Sequence, residues 1–283
     1  MRRAATVRPL MRNRLARALT FASLLLSAPV LASSGMDGGT PSHALQAAPV
    51  LPAAPATASP APPAAERKHT VLLLGDSLIA TGFGEYLQTM LESHPRIRTA
   101  RRAKSSTGLA RPDFFDWMTV GQEEVERHKP DVVVVILGGN DGQSLQDGKG
   151  GKPIHWGKPE WEQAYRERLA AFVKVLSAPG RKIVWLELPA TGLKRFEQKL
   201  GLIRGLQREV ISSHEDALHL DTRPFFTDAK GRALLQARVD GYRKPMRLRM
   251  EDGVHFTVAG GRYFASKVYP EVLSVLGLVV RQG

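Results

Sequence analysis

An α/β fold built on a parallel sheet is predicted by three features of this chain. From residue 68 onward, strand-like runs alternate with helical ones. Two of the runs, Val71-Leu72-Leu73-Leu74 and Val132-Val133-Val134-Val135-Ile136-Leu137, are continuously apolar, as strands covered on both faces must be. Each of those two ends in glycine and small polar residues before a helical pattern resumes, which is the punctuation of a β-to-α turn. Together these features predict a flavodoxin-like three-layer α/β/α sandwich around a central parallel sheet of about five strands.

The first strand is expected at Thr70–Leu74, followed by a helix near Leu78–Ser93. The second, around Arg98–Ala103, leads into the small-residue loop Lys104-Ser105-Ser106-Thr107-Gly108-Leu109 and a helix at Trp117–His128. The third opens on Asp131, runs apolar to Leu137 and ends in Gly138-Gly139-Asn140-Asp141. A helix at Pro159–Leu176, a strand at Lys182–Leu188, a helix at Leu193–Ser213 and a strand at Leu218–Asp221 continue the alternation. An amphipathic helix over Val258–Leu276 closes it.

Upstream of residue 68 the composition is not that of a folded domain. Six arginines and no acid stand in Met1–Arg17, followed by an apolar stretch, Ala18–Val30, too short for a comfortable membrane span, and by small residues near Ala32. Residues 1–32 are therefore expected to be a secretory signal, or an amino-terminal anchor if uncleaved, placing the protein in the periplasm or on the outer face of a bacterial envelope. Residues 33–67, rich in Ala, Pro, Ser and Gly, are expected to form an extended tether. Residues 68–283 remain as one domain, within the size that a single core supports.

Several function classes are excluded by what the sequence lacks. The chain has no cysteine, hence no disulfide framework and no thiolate metal site. It has no His-Glu-x-x-His, no phosphate-binding Gly-x-x-x-x-Gly-Lys-Ser/Thr and no dinucleotide glycine spacing, so no metal or other cofactor is indicated. The net charge is +13, of which the six arginines near the amino terminus supply six, leaving +7 on the rest. Nucleic acid is not expected as a partner, since no binding motif accompanies that charge.

The chemistry-bearing residues come in four blocks. In Gly75-Asp76-Ser77-Leu78, glycine breaks an apolar strand and leaves a serine at its carboxyl end, where open α/β sheets place their ligands. Ser77 is thus a candidate nucleophile, or Asp76 and Ser77 simply cap the next helix. In Asp252-Gly253-Val254-His255, the three-residue spacing lets the carboxylate reach imidazole Nδ1 and turn Nε2 outward as a general base. Gly108 offers a backbone N–H, Asn140 an amide N–H, and Ser77 its own N–H, as donors to a developing oxyanion. The bland alternatives are a positive-φ turn at Gly108 and an Asx turn at Asn140.

Taken in order, these four blocks resemble those of the SGNH hydrolases, also called the GDSL esterase/lipase family. The Lys104–Leu109 version of the glycine block is similar to that of an exported bacterial branch. The resemblance covers the chain from about Lys68 onward and implies Ser77 as nucleophile, His255 as base, Asp252 as its orienting acid, and Ser77, Gly108 and Asn140 as oxyanion donors.

By that resemblance the expected activity is a serine esterase acting on an O-acylated glycan or small ester, with O-acetyl groups of an envelope polysaccharide as first choice. An O-acyltransferase, a lipid or aryl esterase, and a catalytically idle glycan-binding protein are the alternatives. Basic residues cluster at Lys149, Lys152 and Lys158, and at Arg243, Lys244, Arg247 and Arg249, where they would draw in an acidic polymer or form ordinary solvated loops. Trp156 and Arg249 are the candidate substrate contacts, and Trp161 the alternative stacking ring, with a core role open for either tryptophan.

Overall fold

The structure, a computed structural model, describes residues 67–278. The expected signal segment lies outside the described residues, as does the tether except for Arg67, whose guanidinium pairs with Asp131 at 2.6 Å.

Five parallel strands form the sheet: β1 (His69–Gly75), β2 (Ile97–Ala103), β3 (Val132–Ile136), β4 (Lys182–Leu186) and β5 (Ala217–Leu220), in the order β2-β1-β3-β4-β5. This is the predicted three-layer architecture. The chain first crosses from β1 to β2, then reverses direction and adds β3, β4 and β5 on the other side. Right-handed crossovers on the two sides of such a reversal place their helices on opposite faces. Accordingly α2 (Gly82–Glu92) packs with α6 (Val258–Val275) on one face, while α3 (Trp117–His128), α4 (Pro159–Leu176) and α5 (Lys194–Ser212) pack in sequence on the other.

Register fixes where the site lies. Gly75, the last residue of β1, pairs with Ala103, the last of β2, and with Ile136, the last of β3. Three neighbouring strands therefore end level, and the Ser77, Gly108 and Asn140 loops leave from one rim. Beneath that rim the core is dry: Val71–Leu74 and Val133–Leu137 have no exposure. One face is filled by Phe83 stacked on Phe264 at 4.1 Å with Phe226 and Phe256 around them, the other by Trp117, Phe172 and Trp185 and by Trp161 stacked on Tyr165 at 4.9 Å.

The structure departs from the sequence reading in four places. The single helix expected at 78–93 is two, a four-residue α1 (Ser77–Ala80) and α2, separated at Thr81 in extended conformation. Gly84 permits this sharp join, because a Cβ there would lie 2.0 Å from the Ile79 carbonyl oxygen. The strand expected to reach Leu188 ends at Leu186, and the strand expected at Leu218–Asp221 lies one residue earlier. Between β5 and α6 the chain adds a 3₁₀ turn (Arg223–Phe226) and a short antiparallel pair, β6 (Gln236–Ala237) with β7 (Met246–Arg247), whose two-residue strands are too short to show a period.

Glycine also sets how closely α6 approaches α2. A Cβ on Gly261 would stand 2.7 Å from the Phe83 nitrogen and 2.9 Å from the Gly82 carbonyl carbon, both rigid backbone. Gly261→Leu is expected to destabilise the fold by about 1–3 kcal/mol, as overpacking does. Thermal unfolding should register this as a loss of roughly 3–10 °C in Tm.

Candidate active site

Ser77 sits at the start of α1, immediately beyond β1, with Asp76 as the helix cap. The Asp76 Oδ1 accepts the N–H of Leu78 at 3.0 Å. Gly75 is required by close packing, since a Cβ would meet Ile79 Cγ1 at 2.5 Å and the Ile136 oxygen at 2.6 Å. The cap reading holds for Asp76, while the Ser77 side chain takes no part in the cap. Asp76 does the capping and leaves the half-buried Ser77 hydroxyl free.

His255 arrives from the other end of the chain. Its Nε2 lies 2.9 Å from Ser77 Oγ, and its Nδ1 lies 2.6 Å from Asp252 Oδ2. A carboxylate only accepts, so Nδ1 carries the hydrogen, and the Nε2 lone pair of the neutral ring accepts from the serine hydroxyl. Asp252 also takes the N–H groups of Val254 at 2.8 Å and His255 at 2.9 Å, which makes the turn that aims both side chains. The hydrogen bond from His255, aided by those two N–H groups, holds the Asp252 carboxyl down at about 2.

The glycine block is organised by Asp141. This carboxylate, fully buried, accepts the N–H groups of Leu109 at 3.1 Å and Ala110 at 2.9 Å and the hydroxyl of Tyr165 at 3.0 Å. Gly108 is glycine because a Cβ would fall 2.0 Å from Asp141 Oδ1, and its φ is not positive. The left-handed residue of that loop is Ser106, at φ 64°. Asn140 makes no Asx turn. Its Nδ2 donates one hydrogen to the Thr107 carbonyl at 2.9 Å, binding the asparagine to the glycine block and leaving its second amide hydrogen uncommitted. Among the described residues, the N–H groups of Ser77 and Gly108 have no protein acceptor.

A pocket of about 60 Å³ opens beside Ser77, His255 and Asn140, walled by Leu188, Pro189, Thr191, Phe196, Leu200 and Arg249. Of the sequence candidates it therefore gathers Ser77, Asn140, His255 and Arg249. Asp252 stands behind His255, and Gly108 is reached through the Asn140–Thr107 bond and lines an adjacent hollow. Trp156 is outside the pocket wall, half-buried edge-on to Trp161 with the Lys199 ammonium 5.8 Å above its ring. Trp161 is a core residue with no exposure and donates its Nε1 hydrogen to the Gln143 carbonyl at 2.7 Å, so it is not a stacking platform. Leu188, Phe196 and Leu200 went unnoticed in the sequence because they read there as ordinary strand-end and helix residues.

Asp76 has a second property. Burial pushes its carboxyl up to about 7, despite N–H bonds that oppose the shift, and neighbouring Asp141 adds to it. With an unfolded value near 3.9, the folded state holds more protons than the unfolded state between about pH 4 and 7. Stability from this group is therefore present below pH 4 and lost as pH rises through 7. Chemical denaturation of wild type and Asp76→Asn should show the variant gaining about 2 kcal/mol on wild type between pH 5 and pH 8.

Comparison with solved structures shows the same fold in an alpha/beta hydrolase enzyme from the metagenome of Lake Arreo, Spain, at 16% identity and TM-score 0.51, covering 75% of this chain and 96% of that one. A catalytic mutant of Axe2, an acetylxylan esterase from Geobacillus stearothermophilus, matches at 17% identity and TM-score 0.51, covering 77% and 98%. No curated protein matches. The family described as "Protein of unknown function (DUF459)" matches over residues 70–271, which takes in all four blocks from Ser77 to His255 and well over half of the chain, and the chain belongs to that family.

Proposed function

We propose that the protein is a serine ester hydrolase of the SGNH type, with Ser77 as nucleophile, His255 as general base and Asp252 as the acid that orients it. The observation that carries this reading is the unbroken hydrogen-bond chain from Asp252 through His255 to Ser77, standing on the carboxyl rim of the sheet beside a pocket. In the first half-reaction Ser77 Oγ adds to the ester carbonyl as its proton passes to His255 Nε2. The carbonyl oxygen becomes an oxyanion received by the N–H groups of Ser77 and Gly108 and the uncommitted amide hydrogen of Asn140. The bond to the alcohol then breaks, and Nε2 returns the proton to the leaving oxygen. In the second half-reaction water, deprotonated by the same nitrogen, adds to the acyl carbonyl, the bond to Ser77 Oγ breaks, and Nε2 returns the proton to that oxygen as the carboxylic acid leaves.

The substrate we propose is an O-acetyl group on a cell-envelope polysaccharide. The pocket beside Ser77 is lined by Leu188, Pro189, Phe196 and Leu200, an apolar wall on which a small acyl group can rest. The basic start of the chain, the short apolar stretch Ala18–Val30 with small residues near Ala32, and the Ala/Pro-rich stretch after it support export to the periplasm or the outer face of the envelope.

Hydrolysis of p-nitrophenyl acetate by the purified protein tests the chemistry. Ser77→Ala and His255→Ala should each lower kcat by at least about 10³-fold. Asn140→Ala should lower it by about 10²-fold or more with KM little changed, because its donor acts on charge that exists only in the transition state. Activity that survives both Ser77→Ala and His255→Ala would remove the proposal, and folded wild type that turns over neither this ester nor acetylated polysaccharide would do the same.

A further inference from the structure

Arg249 is a charged residue placed where a charge is costly. It is 5% exposed and lines the pocket that holds Ser77 and His255. Another arginine of equal burial, Arg204, is neutralised in the usual way, with Glu197 at 2.8 Å. Arg249 makes no ion pair with any carboxylate among the described residues. The two acids whose fields reach it are engaged elsewhere: Glu197 holds Arg204 and the Thr191 hydroxyl, and Asp252 holds His255. Arg204 itself adds positive potential.

What supports the guanidinium is neutral. It donates to the carbonyls of Val254 and Ala190, the latter at 2.8 Å, and lies over the rings of Phe256 at 4.0 Å and Phe226 at 4.9 Å. Two of its five N–H groups are thereby used, and three remain. Burial lowers it from the ordinary arginine range to about 9, so it is still a cation at neutral pH. A buried cation with unspent donors in the wall of a pocket is incomplete until an anion arrives, because burial of an unpaired charge is among the most costly arrangements in a fold. A guanidinium fork matches a carboxylate in shape and charge.

We propose that Arg249 is the receptor for a carboxylate on the substrate, so that the preferred ester is one with a carboxylate a few bonds from the reacting carbonyl. This deepens the hydrolase reading and rests on it for the identity of the reacting group. The carboxylate can belong to the alcohol side, as in an acetylated uronate, or to the acyl side, as in a dicarboxylic half-ester. The receptor chemistry is the same for both.

Two substrate pairs separate these sources: O-acetylated oligogalacturonate against the same material with its carboxyls methyl-esterified, and mono-4-nitrophenyl succinate against 4-nitrophenyl butyrate, which matches it in acyl length. Wild type should favour the anionic member of one pair in kcat/KM by about 10- to 100-fold, the range of a charged hydrogen-bonded contact. Arg249→Gln should bring that ratio near one, and Arg249→Lys, which keeps the charge but loses the fork, should fall between. Damage to the fold lowers both members of a pair alike, so the ratio reports recognition alone. Wild-type ratios near one in both pairs, or a preference that survives Arg249→Gln, would overturn the receptor while leaving the hydrolase in place. If no ester is turned over, binding of oligogalacturonate and of succinate to Ser77→Ala, with and without Arg249→Gln, decides separately. Arg249-dependent binding of either upholds the receptor without the hydrolase, and its absence for both overturns it.

Discussion

The arrangement of the site depends on one buried carboxyl group, that of Asp141 in the loop after β3. A carboxylate out of water must be supplied with donors, and the fold supplies them from two directions: the N–H groups of Leu109 and Ala110 beyond β2 and the hydroxyl of Tyr165 on α4. The Tyr165 oxygen in turn meets Gln207 Nε2 at 3.3 Å, and the same nitrogen donates to the Leu137 carbonyl at 2.8 Å, which draws α5 into the network. Satisfying one carboxyl group thereby ties two loops and two helices to the strand that carries Asn140. Burial raises the Asp141 carboxyl, and those donors oppose the rise. Gly108 follows from the same constraint, since only a residue without Cβ can lie against the carboxylate.

His255 is held independently of that network. The bridge between Arg249 and Phe256, together with the Met250 N–H donating to the His255 carbonyl at 2.8 Å, closes a short turn in which Asp252 and His255 are already oriented toward each other. Arg249 then fastens the turn to the loop after β4 through Ala190. The rim of the sheet carries the groups that would receive an acyl chain, and a separate turn carries the group that would move protons. The two meet at the bond between His255 and Ser77 and at the bond from Arg249 to Ala190.

What the sequence made legible and what it hid follow from the range of the interactions involved. Continuous apolar runs and the small residues after them revealed the strands and the loops at their ends, because burial on both faces leaves that mark locally. Asp252 and His255 could be paired because their contact spans three residues. The split of the first helix at Thr81 could not be read, since it depends on Gly84 meeting the Ile79 carbonyl at a sharp join, and neither could β6 and β7, which hold each other in place without any period of their own. Arg249 was legible as a candidate substrate contact within a basic run, but its burial was not. Arg243, Lys244 and Arg247 are indeed exposed, while Arg249 turns inward onto two phenylalanines, a difference set by tertiary packing alone.

The contact between Ser77 and His255 joins positions 178 residues apart. Closing so long a segment is entropically expensive and follows the more local pairings that build the sheet. The turn bearing His255 leads directly into α6, which lies against α2 with Gly261 over the backbone of Phe83. A chain whose strands have assembled but whose last helix has not yet docked displays an ordinary alcohol at Ser77. On the proposed reading, activity would therefore report that the two ends of the folded domain have been brought together.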